Sequence, residues 1–298
     1  MQTMQDIKRI GVVGSGKMGC GIAQVCSQSG YTVVMTDKVE KIVDNSIEKI
    51  RKHITRLSQK GEIDQQQKDK ILSRIKGTTE ISSLSHCDLV IEAVFEDVDI
   101  KKTVLEELDH ICSKETIIAS NTSSLSISKL ASGLSRMEKI VGMHFFNPVP
   151  LMALVEIVKT VKTSLQVIHH VVEFAKSINK KPVVVQDQAG FVVNKILTPF
   201  LFDAVKTLSE GVCTVKEIDN SMRYGCGHPM GPLALCDLIG LDILVNAGNA
   251  MFEEYHENKY APPPLLKRLV EIGDYGIKSG CGFYVYENKE QPKPRAFS

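Results

Sequence analysis

Three glycines within six residues, Gly14-Ser15-Gly16-Lys17-Met18-Gly19, separate a run of apolar β-branched residues from a run with helical spacing. A chain that leaves a strand and enters a helix over so short a distance needs backbone that tolerates a tight turn and a close approach. Each glycine then has its own reason. Gly14 permits the turn, Gly16 leaves the backbone bare where a phosphate comes near, and Gly19 lets helix lie against strand. The helix that starts here offers unpaired N–H groups and the positive end of its dipole, a ready anion site. Strand, glycine turn and helix in this order restrict the chain to open α/β folds.

The rest of the first half agrees with that restriction. Short apolar runs rich in Val, Ile and Leu predict strands at Ile10–Gly14, Thr32–Asp37, Leu89–Ala93, Thr116–Ser120, Ile140–Met143, Leu154–Val158 and Pro182–Val185. Their near-continuous apolar content fits a parallel sheet covered on both faces. Helical spacing between them covers Met18–Ser29, Lys41–Ser58, Gln65–Ile75, Ile100–Ile111 and Leu165–Ile178. The alternation predicts a doubly wound, Rossmann-type α/β domain over 1–188, with a helical insertion at about 38–76. Beyond Gln186-Asp187-Gln188-Ala189-Gly190 the strand signals nearly vanish. Helical runs follow at Phe191–Ser209, Val215–Tyr224 and Leu233–His256, so 189–298 is expected to form an all-helical second domain. Only the tail Gly280–Tyr286 suggests a turn and a short extended piece.

The predicted second strand ends in Asp37, eighteen residues after Gly19. An acid there accepts hydrogen bonds from ribose hydroxyls, and its charge repels a 2′-phosphate. NAD is therefore the expected cofactor, held by Gly14, Gly16, Lys17, Met18, Gly19 and Asp37. A formal net charge of +1 gives no reason to expect nucleic acid. No apolar run nears the ~20 residues that cross a bilayer. The opening residues show neither a secretory apolar core nor an Arg/Ser-rich transit pattern. Eight cysteines without a Cys-x-x-Cys pair read as reduced thiols in a cytoplasmic setting, and no metal site is expected.

Charge is uneven along the chain. Between Lys38 and Lys76 eleven Lys/Arg face six Asp/Glu. Val43, Ile47, Ile50, Ile54 and Leu57 form an apolar helical stripe, with Lys49, His53, Arg56 and Lys60 as a basic stripe beside it. The pattern alone favours a solvated face. The alternative is a docking strip for a polyphosphate such as that of coenzyme A.

Candidate chemistry sits at predicted strand ends and near residue 190. Val141-Gly-Met-His144-Phe-Phe-Asn147-Pro148 places an imidazole at the close of a strand, and the next strand holds a lone acid, Glu156, in Leu-Val-Glu-Ile-Val. A buried carboxylate needs a partner, and a carboxylate that fixes one imidazole tautomer builds a general base. Ser120-Asn-Thr-Ser123-Ser124 follows another strand, where open sheets bind ligands. Asn194 falls early in the first helix of the second domain. Ser, His and Glu also suggest a hydrolase, but Ser123 is not in a Gly-x-Ser-x-Gly elbow and a hydrolase has no use for the dinucleotide turn.

Taken together the motifs resemble the L-3-hydroxyacyl-CoA dehydrogenases, most closely the bacterial 3-hydroxybutyryl-CoA dehydrogenases. The similarity runs from 14–19 through Ala119–Ser124, Gly142–Pro148, Gly190–Asn194 and His228-Pro-Met-Gly-Pro232 to Lys278–Tyr284. The resemblance implies reversible oxidation of an L-3-hydroxyacyl-CoA to the 3-ketoacyl-CoA. His144 would take the hydroxyl proton, oriented by Glu156, with Ser123 and Asn194 on the reacting oxygens. It also implies Glu96, Lys101, Ser123, Asn147 and Lys278 near NAD, His53, Lys60 and Ser123 near the acyl-CoA, and a homodimer joined through the helical domain. The match of His53 and Lys60 strengthens the docking reading of the basic stripe. Lys17 and Cys281 depart from the residues usual in the family. The alternatives are a sugar-acid dehydrogenase of the gulonate type and a crystallin-like binding protein without turnover.

Overall fold

The computed structural model describes residues 7–288 and 291–297. The chain forms two compact units, one ending at Phe191 and the other beginning at Val192. The first begins β1 (Arg9–Val13), α1 (Lys17–Gln28), β2 (Thr32–Thr36), α2 (Glu40–Gln59), α3 (Gln65–Ser73), β3 (Ile75–Thr78), β4 (Leu89–Glu92) and α4 (Val98–Ile111). It continues β5 (Ile117–Ser120), α5 (Ile127–Leu130), β6 (Ile140–Phe145), β7 (Leu154–Lys159), α6 (Leu165–Ser177) and β8 (Lys181–Gln186). The eight strands make one sheet in the order β3-β2-β1-β4-β5-β6-β7-β8. From β1 the chain winds one way to β2 and β3, then crosses back to β4. The glycine turn after β1 therefore lies at the switch point, the crevice where sheets of this kind bind ligands.

Two apolar layers cover the sheet. One gathers Ile10, Val12, Ile22, Ile50, Ile54, Ile91, Met143 and Ile157, the other Val13, Val90, Leu105, Ile118, Ile127 and Val158. Successive strand residues alternate between them, which is why the strands read as continuous apolar runs. The apolar stripe of α2 packs as its spacing requires, with Val43, Ile50 and Ile54 buried. Burial of this order stabilises by roughly 1.5–3 kcal/mol per large aliphatic side chain.

Three features differ from the sequence expectation. The helix predicted to Ile75 ends at Ser73, and Ile75-Lys-Gly-Thr78 forms the edge strand β3, so α2 and α3 are the crossover from β2 to β3. A four-residue strand half polar in content carries too weak an alternation to be read alone. Gly77 serves packing here: a Cβ would lie 2.5 Å from side-chain atoms of both Val43 and Ile47. Second, the sheet is not all parallel, because β7 runs antiparallel to β6 and β8 pairs parallel to β7. Residues 146–153 are too few for a crossover and suffice only for a reversal. Third, the helix predicted over Leu233–His256 is broken at Gly240.

The second unit holds α7 (Val193–Ser209), α8 (Val215–Cys226), α9 (Pro232–Ile239), α10 (Leu241–Tyr255) and α11 (Pro264–Glu271), with an antiparallel pair of β9 (Tyr284–Val285) and β10 (Lys293–Pro294). Gly240 takes φ +107° and α9 meets α10 at 93°, a corner that a side chain would strain. This unit is helical apart from that small ribbon, and α11, preceded by Pro262-Pro263, escaped the sequence reading. Its core packs Leu201, Phe202, Val205, Leu233, Leu241, Leu266 and Phe283. No single helix among the described residues is long and apolar enough to cross a membrane, although the bent pair α9–α10 passes by length and composition. Leu233 of α9 and Leu241 of α10 are fully buried in that core.

Candidate active site

The glycine turn shows which of its glycines the polypeptide itself requires. Gly14 has φ +96°, and a Cβ there would lie 2.5 Å from the Ala93 carbonyl oxygen. A Cβ on Gly19 would lie 1.8 Å from the Gly14 carbonyl oxygen. Gly16 is different, because a Cβ added to it meets nothing within 4 Å. No contact within the chain forbids a side chain there, and the space beside Gly16 is open. The first turn of α1 has no side-chain cap and no acid. Bare N–H groups, a positive dipole end and open space fit a pyrophosphate. Lys17 is exposed beside them, while Met18 is half-buried against the core. Asp37 closes the turn, its Oδ2 accepting from the Ser15 amide at 2.8 Å.

A second cluster forms where β4 and β5 end side by side. Lys101 of α4, 1% exposed, bonds Glu92 Oε1 at 2.8 Å and lies 3.3 Å from Glu96 Oε2. Glu96 Oε1 accepts from the Thr122 hydroxyl at 2.6 Å, the Ser123 amide at 2.8 Å and the Ser124 amide at 3.1 Å. The hydroxyls of Ser123 and Ser124 each donate to it at 3.2 Å. Burial pushes the Glu96 carboxyl up, but the Lys101 charge and the donors from Thr122 and Ser123 outweigh it and hold the group below its ordinary value.

The third cluster follows from the strand reversal. In the antiparallel β6–β7 register His144 stands directly opposite Glu156, so both side chains project on one face. His144 Nδ1 and Glu156 Oε2 are 2.8 Å apart, with the residues 6% and 1% exposed. A carboxylate at that distance accepts a hydrogen bond from Nδ1–H, the tautomer that leaves Nε2 as the acceptor nitrogen. Phe146 and Phe191 flank the imidazole at centroid distances of 4.4 and 5.6 Å. The Phe145 amide donates to Asn121 Oδ1 at 2.9 Å, which ties this strand end to the Ser120–Ser124 segment. Asn147 is exposed at the start of the reversing loop, joined to Pro148 by a cis peptide.

The remaining predicted residues stand on other elements. His53 is half-buried and Lys60 exposed on the solvent side of α2, with Lys49 and Arg56 exposed in the same stripe. Asn194 is the second residue of α7, and Lys278 bonds Asp242 Oδ2 at 2.6 Å, both within the second unit. Among the described residues no group of three or more His, Cys, Asp or Glu is arranged to hold a metal, and the cysteines are free thiols.

Sequence reasoning missed several contributors. Glu92 is fully buried and also accepts from the Ser120 hydroxyl at 2.6 Å and the Val94 amide at 2.7 Å. Its signal was available: like Glu156, it is a lone acid in an apolar strand. Lys180, 7% exposed, donates to the carbonyls of Val149 and Met152 and so clamps the loop after Asn147. Nothing in its local sequence marks it, because its partners lie about thirty positions away.

Comparison with known proteins bears on the same residues. Residues 9–188 match the family described as 3-hydroxyacyl-CoA dehydrogenase, NAD binding domain, and residues 190–286 match 3-hydroxyacyl-CoA dehydrogenase, C-terminal domain. The chain is 44% identical over 278 residues to a 3-hydroxybutyryl-CoA dehydrogenase of Clostridioides difficile, covering 93% of this chain and 99% of that protein. It is 38% identical over 288 residues to the mitochondrial hydroxyacyl-coenzyme A dehydrogenase of Homo sapiens, covering 94% and 92% respectively. Among solved structures, the (S)-3-hydroxybutyryl-CoA dehydrogenase of Ralstonia eutropha superposes with a TM-score of 0.93 at 42% identity, over 95% of this chain and all of that one.

Proposed function

The chain belongs to the 3-hydroxyacyl-CoA dehydrogenase family, and from that membership we propose that it interconverts L-3-hydroxyacyl-CoA and 3-ketoacyl-CoA with NAD, 3-hydroxybutyryl-CoA being the preferred chain length. The observation that carries the reading is the His144–Glu156 pair, buried and 2.8 Å apart at the end of β6. Bound NAD supplies the hydride acceptor. His144 Nε2 takes the proton of the 3-hydroxyl as the C3 hydride departs, and returns it in reduction. Glu156 positions the imidazole and stabilises its charged form. Ser123 and Asn194 hydrogen-bond the substrate oxygens and support developing negative charge there.

In this reading Gly14, Gly16, Lys17, Met18 and Gly19 receive the pyrophosphate and Asp37 the adenosine ribose. Glu96, Lys101, Ser123, Asn147 and Lys278 serve the nicotinamide end, and His53 and Lys60 the phosphates of coenzyme A. The first 188 residues carry the cofactor, and 189–298 carry the substrate wall and dimer contact. Exposed Val192, Ile196, Leu238 and Ile243 in the second unit support self-association. The eight free thiols fit a reducing, cytoplasmic location.

The test is NADH oxidation with acetoacetyl-CoA. His144→Gln is expected to lower kcat by roughly 10²–10⁴-fold, the usual contribution of a positioned acid–base, with NADH binding and folding retained. Full activity in that variant would refute the mechanism.

A further inference from the structure

Lys180 is a buried cation with no part in the proton or hydride transfer. It is 7% exposed and donates to the main-chain carbonyls of Val149 at 2.5 Å and Met152 at 2.9 Å. Its position follows from how α6 ends. The Asn179 amide donates to the Lys176 carbonyl at 3.0 Å and the Lys180 amide to the Ala175 carbonyl at 2.9 Å, with Asn179 at φ +58°. That is a left-handed helix stop, in which the residue after the turn folds back over the helix end. An apolar side chain usually takes this place; here a lysine does, and its stem carries the ammonium to the loop between β6 and β7. Burial holds that ammonium below its ordinary value, so the contact costs desolvation. The loop that receives it, residues 146–153, has little else to hold it. Only Val149 in it is buried, and Leu151 is 78% exposed. Val149 sits on α1: a Cβ added to Gly21 would lie 2.8 Å from the Val149 Cβ. The amides of Leu151 and Met152 both donate to the Pro148 carbonyl at 3.0 Å, closing one turn, and Lys180 grips two carbonyls of that turn. Asn147 stands two residues before Val149 and next to Phe146, whose ring centroid is 4.4 Å from that of His144.

We propose that Lys180 is a positioning residue for the nicotinamide end of the site: it pins the turn at 148–152 against α1 and so sets where Asn147 stands. A cation suits this task because one ammonium carries several N–H donors and orients two carbonyls at once. An apolar side chain of the same length would fill the space and leave both carbonyls free to turn toward water. The loop is exposed enough for water to replace those bonds, so losing them costs geometry more than stability. The role of Asn147 rests on the functional reading that gives it to the cofactor. The pinning of the turn does not depend on it.

NADH and ADP-ribose separate the two ends of the cofactor site, because ADP-ribose lacks the nicotinamide. In Lys180→Met, which keeps the stem and removes the donors, NADH is expected to bind about five-fold or more weakly while ADP-ribose stays within about two-fold of wild type. Hydrogen exchange at the Leu151 and Met152 amides quickens by about ten-fold or more. Asn147→Ala weakens NADH by itself, and the double variant binds no more weakly than Asn147→Ala alone, since residues that act as one unit are not additive. Lys180→Gln, with an N–H donor on a shorter stem, recovers part of the loss and carries the same comparison if Lys180→Met melts below the assay temperature. Equal weakening of NADH and ADP-ribose would reduce Lys180 to general support of the fold and overturn the proposal. Additive losses in the double variant would overturn it, as would unchanged NADH affinity in Lys180→Met while Asn147→Ala is impaired. An Asn147→Ala protein that binds NADH as wild type does would refute the cofactor reading of Asn147 instead. Quickened exchange in Lys180→Met would then uphold the pinned turn, and unchanged exchange would overturn that as well.

Discussion

Replacing Glu156 by Gln isolates the electrostatic half of the His144 pair. Glutamine has the same shape and keeps a hydrogen-bonding oxygen, so the buried site, 1% exposed, is not emptied. What disappears is the negative charge that stands 2.8 Å from the imidazole. At an effective dielectric of about 20 a full charge pair at that separation interacts by about 6 kcal/mol, a gross upper figure. Net of desolvation, charge-assisted bonds contribute about 1.5–3 kcal/mol more than none at all. A loss of that size where the imidazolium forms predicts a fall in kcat of roughly 10–200-fold. Stopped-flow or steady-state NADH oxidation with acetoacetyl-CoA measures it, alongside NADH binding by fluorescence and a thermal melt. The binding and the melt are expected to stay close to wild type, since the cofactor turn lies on another strand. A Glu156→Gln enzyme with kcat within about two-fold of wild type would show that the carboxylate does not assist His144, and a collapse of the melt would show that its role is structural.

Three further outcomes follow from other parts of the fold. Gly16→Ala is expected to melt like wild type because its Cβ meets nothing within 4 Å, yet to weaken NADH by about ten-fold or more, whereas Gly19→Ala forces a Cβ to within 1.8 Å of a carbonyl and destabilises the protein itself; calorimetry and NADH titration separate the two. Burial raises Asp237 to about 6 against the pull of the Phe283 and Tyr284 amides and the Tyr286 hydroxyl, with the Asp219 charge adding to the rise. A raised carboxyl binds its proton more tightly when folded, so wild type gains about 1 kcal/mol relative to Asp237→Asn between pH 7 and pH 5; chemical denaturation at the two values tests the sign, and a wild type that loses stability relative to the variant as the pH falls would refute it. Lys60→Glu, on the exposed basic stripe of α2, raises the KM for acyl-CoA and hardly moves that for NADH; equal shifts in both would remove the case for a coenzyme A role.

The glycine turn, the acid at Asp37 and most strands were legible because their causes are local. A β-branched run, a φ that only glycine tolerates and a 3.6-residue apolar period act within a few positions of one another. The edge strand β3 escaped because four residues carry no clear period and its pairing with β2 is decided across the α2–α3 crossover. The break at Gly240 escaped because apolar residues continue on both sides of it, and only the packing of α9 and α10 turns the corner. Glu92 shows a different limit. Its signal equalled that of Glu156, but its partners Lys101 and Ser120 stand on a separate helix and strand.

By itself, then, the chain determined its strand–helix alternation followed by a helical part, its glycine turn and the candidate residues of its chemistry, because these are written in short-range pattern and resemblance. Only the tertiary structure decided that β7 runs back against β6, and with that reversal placed Glu156 opposite His144 in the strand register. It also decided that Lys101 turns inward to Glu92 and Glu96 instead of outward. Both decisions depend on pairing between segments distant in sequence, where direction, register and burial set which oxygen meets which nitrogen.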